Sequence, residues 1–118
     1  GMWGRRRVIA SDKIAALVRG TRANPAYGMS FWLNANAARP DAVEVDYEKA
    51  LAAGPAFDWS TACVSRLAPP DLVLMMGSWN QRVYVVPSQR LVVVRQGGGA
   101  DFSDTEFWAR LLHQPQQG

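Results

Sequence analysis

The sequence predicts a single α+β domain, an antiparallel sheet of three or four strands flanked by short helices. Three observations lead there. Apolar runs of strand length occupy 71–76, 82–86 and 90–95 and are separated only by short connections containing Gly77 and Pro87-Ser88. A capping box, Ser103-Asp104-Thr105-Glu106, precedes a helical stripe of Phe107, Trp108, Leu111 and Leu112. Finally, 118 residues at 48% hydrophobic composition with five Trp suit one small domain and are too apolar for a disordered chain.

Taken in order, Gly1 stands ahead of a start-like Met2 and is set aside from functional reasoning. Ser11 reads as an N-cap, with Asp12 in the first turn and Ile14, Leu17 and Val18 on one apolar face, giving a helix of about two turns that ends near Gly20. Asn24-Pro25 marks a turn, and Tyr27 to Asn34 is aromatic-rich and bounded by breakers, as a strand is. Residues 35–60 form an irregular excursion packed by Phe57 and Trp59, with a short helix over 46–53 stopped by Gly54-Pro55. The three runs that follow are apolar at nearly every position rather than at alternate ones, so both faces of the sheet are expected to be covered. The C-terminal helix can cover only one of them. Residues 97–100 read as a flexible connection, His113 as a helix-dipole partner in the last turn, and 114–118 as a fraying end.

Charge and residue inventory exclude much chemistry. The formal charge is +3, but the excess sits at one end, where Arg5, Arg6, Arg7, Lys13, Arg19 and Arg22 face only Asp12; the remainder is slightly acidic. Arg5 to Arg7 beside Trp3 could grip phosphate, yet no aromatic stacking series or nucleic-acid motif accompanies them, and a solvated turn before a helix is the preferred reading. No nucleic-acid partner is expected. No run approaches the roughly 20 apolar residues of a membrane span, and no export signal is present, which leaves the location undefined. A single cysteine, Cys63, and a single histidine, His113, exclude an internal disulfide, a Cys/His zinc cluster and a His-based triad. Cys63 reads as a packing residue beside Val64 and Leu67. The loose acidic stretch Asp41, Glu44, Asp46 and Glu48 lacks the glycine and spacing of a calcium loop, so no metal and no cofactor is expected. Tyr27, Phe31 and Trp32 suit a core, with a ligand pocket as the alternative. A serine activated by a lysine three residues on is impossible, because the residues three before Lys13 and Lys49 are Ala10 and Asp46. Ser78-Trp79-Asn80 matches a Ser-x-Asn element, although so short a match arises easily by chance.

Two stretches nevertheless resemble a family. Trp3-Gly4 through Val8-Ile9-Ala10-Ser11, followed by Asn24-Pro25-Ala26-Tyr27-Gly28-Met29-Ser30-Phe31-Trp32-Leu33, is similar to a segment found late in serine β-lactamase-like hydrolases, the superfamily of class C β-lactamases, penicillin-binding proteins and related esterases. Met75 to Pro87, Leu91 to Arg95 and Phe102 to Leu112 resemble that family's third-motif strand, its returning strands and its closing helix. The resemblance covers most of the chain and is least at 35–60.

It implies the C-terminal part of such a hydrolase, which in full-length members cleaves an ester or amide through an acyl-enzyme. The third motif, Lys-Thr-Gly or His-x-Gly, falls on Met75-Met76-Gly77, where only the glycine is kept. Gly77 would then leave the strand end free where a substrate backbone approaches, and Met75, Met76, Gly77, Ser78, Trp79 and Asn80 would line the cleft. Neither Ser-x-x-Lys nor Tyr-x-Asn occurs, so no catalytic residue is assigned and the chain is expected to be inactive alone. The alternative is a non-catalytic binding or oligomerisation module. Because the family's first two strands and a covering helix have no counterpart here, the exposed face or edge is expected to be satisfied by another copy, as a dimer or by exchange of an element.

Overall fold

The computed structural model describes residues 1–98 and 101–113. Its architecture is the predicted α+β arrangement, with an antiparallel four-stranded sheet and a few short helices. A small hairpin, β1 (Met2–Trp3) and β2 (Arg6–Arg7), leads into α1 (Ser11–Leu17). The central sheet has the order β3 (Trp32–Leu33), β6 (Val73–Gly77), β7 (Gln81–Val86) and β8 (Leu91–Arg95), with every neighbour antiparallel. Between β3 and β6 the chain makes a short 3₁₀ turn, then β4 (Val43–Glu44), α2 (Tyr47–Ala52) and β5 (Ala62–Cys63), with β4 and β5 pairing in parallel. The final element is α3 (Asp104–Leu112).

The register separates the two faces of the sheet. Leu74, Arg82, Tyr84, Val86 and Val93 share one face; Val73, Met75, Val83, Val85, Val92 and Val94 share the other. The first face carries the core. Tyr84 stacks on Phe107 at 5.4 Å between centroids and meets Trp108 edge-on, also at 5.4 Å, so the aromatic half of the stripe predicted for α3 is seated there, whereas Leu111 and Leu112 are exposed. Trp108, Tyr84, Leu72, Leu74 and Val86 are buried together with Tyr47 of α2. The Ser103 hydroxyl accepts from Glu106 N–H at 3.1 Å and caps α3 as predicted, while the Glu106 carboxylate accepts from Arg110 at 3.0 Å.

Several expectations are corrected. The strand expected over Tyr27 to Asn34 is reduced to Trp32–Leu33, because Tyr27 bridges back to Trp32 and Ser30 takes a left-handed φ of 70° between them, folding the segment into a turn. Ser11 is not the N-cap of α1; Ala10 holds that position and the Ser11 hydroxyl accepts from Arg7 at 2.6 Å instead. The apolar face of α1 is not buried in the core: Val18 is exposed, and a cavity of about 160 Å³ lies where Ile14 and Val18 face Leu33, Val73 and Pro87. Within 35–60 lie only the 3₁₀ turn, β4 and α2, the last inside the span expected for a short helix. Most consequential, the second face of the sheet is covered only in part: Val73 is buried and Val83 and Val85 half-buried, but Val92 and Val94 are 61% and 58% exposed, and Met75 is 37% exposed. The fraying expected of 114–118, and Gly99 and Ala100 of the flexible connection, lie outside the described residues.

Asn34 ties this excursion to the sheet. Its backbone N–H donates to Leu72 O, its amide nitrogen to Ser65 O at 3.0 Å, Pro69 O at 3.1 Å and Ala68 O at 3.3 Å, and its amide oxygen accepts from Val64 N–H and Ser65 N–H. A short loop buried away from water needs partners for its backbone groups, and one fully buried amide supplies five of them.

Candidate functional site

The residues singled out from the third-motif resemblance gather at the β6–β7 hairpin. β6 ends on Gly77, a 3₁₀ turn spans Ser78–Asn80, and β7 starts at Gln81. Trp79 and Asn80 both take left-handed φ values, 62° and 59°, the pattern of a tight hairpin turn that the right-handed twist of two paired strands favours. For a side chain as large as Trp this is an uncommon conformation. It holds Trp79 outward, 75% exposed. The turn is fastened on the β8 side, where Arg95 donates to Asn80 O at 2.5 Å and Gln81 Nε2 donates to Gly97 O at 2.7 Å. Beside it lies an open cleft of about 400 Å³ lined by Met75, Met76, Gly77, Gln81, Val83 and Val94, among others. Ser78, Trp79 and Asn80 form the turn at its end rather than its lining. A Cβ on Gly77 would meet Gln81 Cβ, its cross-strand partner, at 3.2 Å, so the hairpin must give by a few tenths of an ångström to admit one.

The cleft offers apolar side chains, the Gln81 amide and arginine, and among the described residues no nucleophile is held against a base there. Ser65 is buried, its hydroxyl accepting from Leu67 N–H. Lys13 pairs with Asp12, and Lys49 with Asp46 and Asp101. Cys63 is fully buried, and burial, reinforced by the Glu44 charge and opposed by Arg66, pushes its thiol up to about 11, so at neutral pH it is protonated and a poor nucleophile.

The other candidates are dispersed. Asp41 forms a two-bonded pair with Arg39, Glu44 accepts from Arg66 N–H, Asp46 accepts from Ser103 Oγ and Thr105 N–H, and Glu48 meets Arg82. Among the described residues no group of three or more His, Cys, Asp or Glu side chains is placed to hold a metal ion. Arg5, Arg6 and Arg7 are exposed around the β1–β2 hairpin with Trp3. Tyr27 and Trp32 pack at a tilt into a half-buried aromatic cluster, with centroids 4.6 Å apart, and Trp32 lies 5.1 and 5.2 Å from Tyr47 and Trp59. Among the described residues no helix is long and apolar enough to cross a membrane.

Sequence reasoning missed one polar cluster. Arg82, in the middle of the sheet and only 1% exposed, donates from Nε to both Asp104 oxygens at 2.9 and 3.3 Å and from a terminal nitrogen to Glu48 at 2.6 Å. Tyr84 Oη donates to Asp104 at 2.5 Å. Burial works to lower the Arg82 pKa, but hydrogen bonds to Asp104 and Glu48 outweigh it and leave it raised; burial, then the charge and hydrogen bond of Asp104, raise Tyr84 far above the usual phenol range. The cluster joins β7 to α2 and α3, buried at Arg82, Tyr84 and Asp104 and open to water at Glu48. Its signal in the sequence was an arginine in phase with Tyr84 and Val86 on the buried side of a strand.

Against family models, curated proteins and solved structures the chain gives no match in any of the three comparisons.

Proposed function

We propose that this chain is the sheet-and-helix portion of a β-lactamase-like serine hydrolase and is catalytically silent by itself. The observation that carries this reading is the apolar cleft at the end of β6, which opens beside Gly77 with no serine–lysine pair in it. A strand end stripped to glycine suits the approach of an extended substrate backbone, and backbone N–H groups there would act on a developing oxyanion only with a nucleophile supplied from elsewhere. The test is incubation of the purified chain with nitrocefin and with p-nitrophenyl acetate. Silence towards both is expected; turnover above the buffer rate that follows the protein through a second purification refutes the reading.

A second reading, a docking or oligomerisation module, is favoured by a different observation. The valine face and the outer edge of β8 are uncovered, and an apolar sheet surface left open to water is a feature of interaction sites.

A further inference from the structure

We propose that β8 pairs antiparallel with β8 of a second copy about a two-fold axis at Val93, making one continuous eight-stranded sheet from two of four. This rests on the docking reading above and gives it a partner and a register. β8 is the terminal strand of the sheet, and no backbone bond to its outer edge is present among the described residues. Proteins normally blunt such an edge with lysine, proline, a bulge or brevity. Here the edge is five residues long, Leu91-Val92-Val93-Val94-Arg95, with no proline or lysine, and its two outward-facing side chains are Val92 and Val94.

Register decides between a second copy and a foreign strand. Centred on Val93, pairing sets Val92 opposite Val94 of the partner subunit, Leu91 opposite Arg95 of the partner subunit, and Arg90 opposite Gln96 of the partner subunit. All five strand residues are paired and no arginine faces an arginine, the arrangement that cross-strand energetics favour. Sliding by two residues either way leaves strand residues unpaired. Arg95 is also accommodated without a partner, because its guanidinium lies 4.3 Å from the Phe102 ring centroid and donates to Asn80 O. A two-fold pair is closed as well: both β8 edges are used at once, and the sheet then ends on β3 at each side, only two residues long and too short to recruit further strands. A foreign strand would carry an open edge of its own.

The test is light-scattering mass after size exclusion at about 100 µM. A mass of about twice 13.0 kDa is expected. The double variant Val92→Lys/Val94→Lys places like charges opposite one another twice and should weaken association about tenfold or more. Because both positions are exposed, its far-UV circular dichroism should be unchanged. Val92→Lys/Val94→Glu sets opposite charges across the same register and should recover the dimer at low salt and lose it at high salt. A monomeric parent chain, a Lys/Lys variant as dimeric as the parent, or a Lys/Glu variant no tighter than Lys/Lys each overturns the pairing. The outcome is separable from the hydrolase reading: a monomer silent towards nitrocefin refutes the pairing alone, and a dimer that hydrolyses it refutes catalytic silence alone.

Discussion

Replacing Asp104 by Asn probes the centre on which the covered face depends. The carboxylate is 2% exposed and accepts three hydrogen bonds, two from Arg82 and one from Tyr84. The amide keeps the shape but turns an N–H₂ donor towards donors and removes the negative charge. Beside its bond to Gln81 O, Arg82 would retain as counterion only Glu48, whose side chain is 55% exposed and therefore solvent-weakened. Breaking a buried ion pair by deleting one partner costs about 3–5 kcal/mol; with Glu48 still in place, the lower end, about 3 kcal/mol, is expected. Loss of an acidic group from the first turn of α3 adds about 0.5 kcal/mol. With a urea slope of about 1.5 kcal/mol/M for a domain of this size, the midpoint should fall by about 2 M. Tryptophan fluorescence reads it. The triple change Arg82→Met, Tyr84→Phe, Asp104→Leu removes the buried charges together and should be less destabilising than Asp104→Asn alone, because no charge is stranded. A midpoint shift below about 0.5 M for Asp104→Asn, or simple additivity across the three sites, would refute the reasoning.

Three further outcomes are expected. Asn34→Asp should unfold the loop it supports, losing about 3 kcal/mol or more in urea melts, because a carboxylate cannot donate to the three carbonyls now served by the amide nitrogen; Asn34→Gln should not rescue it. Cys63 should resist a thiol reagent at pH 8 until denaturant is added, and stability should fall as pH rises from about 9 through 11: its folded-state pKa lies above the unfolded one, so the stabilisation is complete below the unfolded value and lost on the alkaline side. Gly28→Ala should lower the melting temperature sharply, since its Cβ would stand 2.4 Å from Leu17 O, whereas Gly77→Ala, meeting only Gln81 Cβ at 3.2 Å, should change it little.

What the sequence made legible follows from the range of the interactions involved. The hairpins of β6, β7 and β8 and the cap of α3 are local features, written in consecutive residues, and they stand where they were expected. The aromatic stretch from Tyr27 has the composition of a strand; its conformation is decided by contacts distant in sequence, Trp32 against Tyr47 and Trp59 and Asn34 against 64–69, which fold it into a turn. Likewise the four-residue polar centre joins Glu48, Arg82, Tyr84 and Asp104 across three elements, and no local pattern ties Asp104 to a strand residue 22 positions earlier.

The candidate cleft was legible by a different route and to a lesser degree. Met75 to Asn80 were selected by resemblance, and they do sit together at one hairpin, but they divide into a wall, Met75 to Gly77, and an outward turn carrying Trp79. That division bears on the reading of the uncovered face. Strands apolar on both sides require two covers, and α3 provides one. Edge pairing through β8 would bury backbone and the flanks of Val92 and Val94 without roofing Met75, Val83 and Val85. In a two-fold sheet the open valine faces of both copies lie on the same side, while both α3 helices lie on the other. The pairing would therefore join two half-sized apolar patches into one wider floor, with a Trp79 turn on each copy. If that floor has an occupant, a broad apolar element is a better match to it than the single narrow cleft beside Gly77.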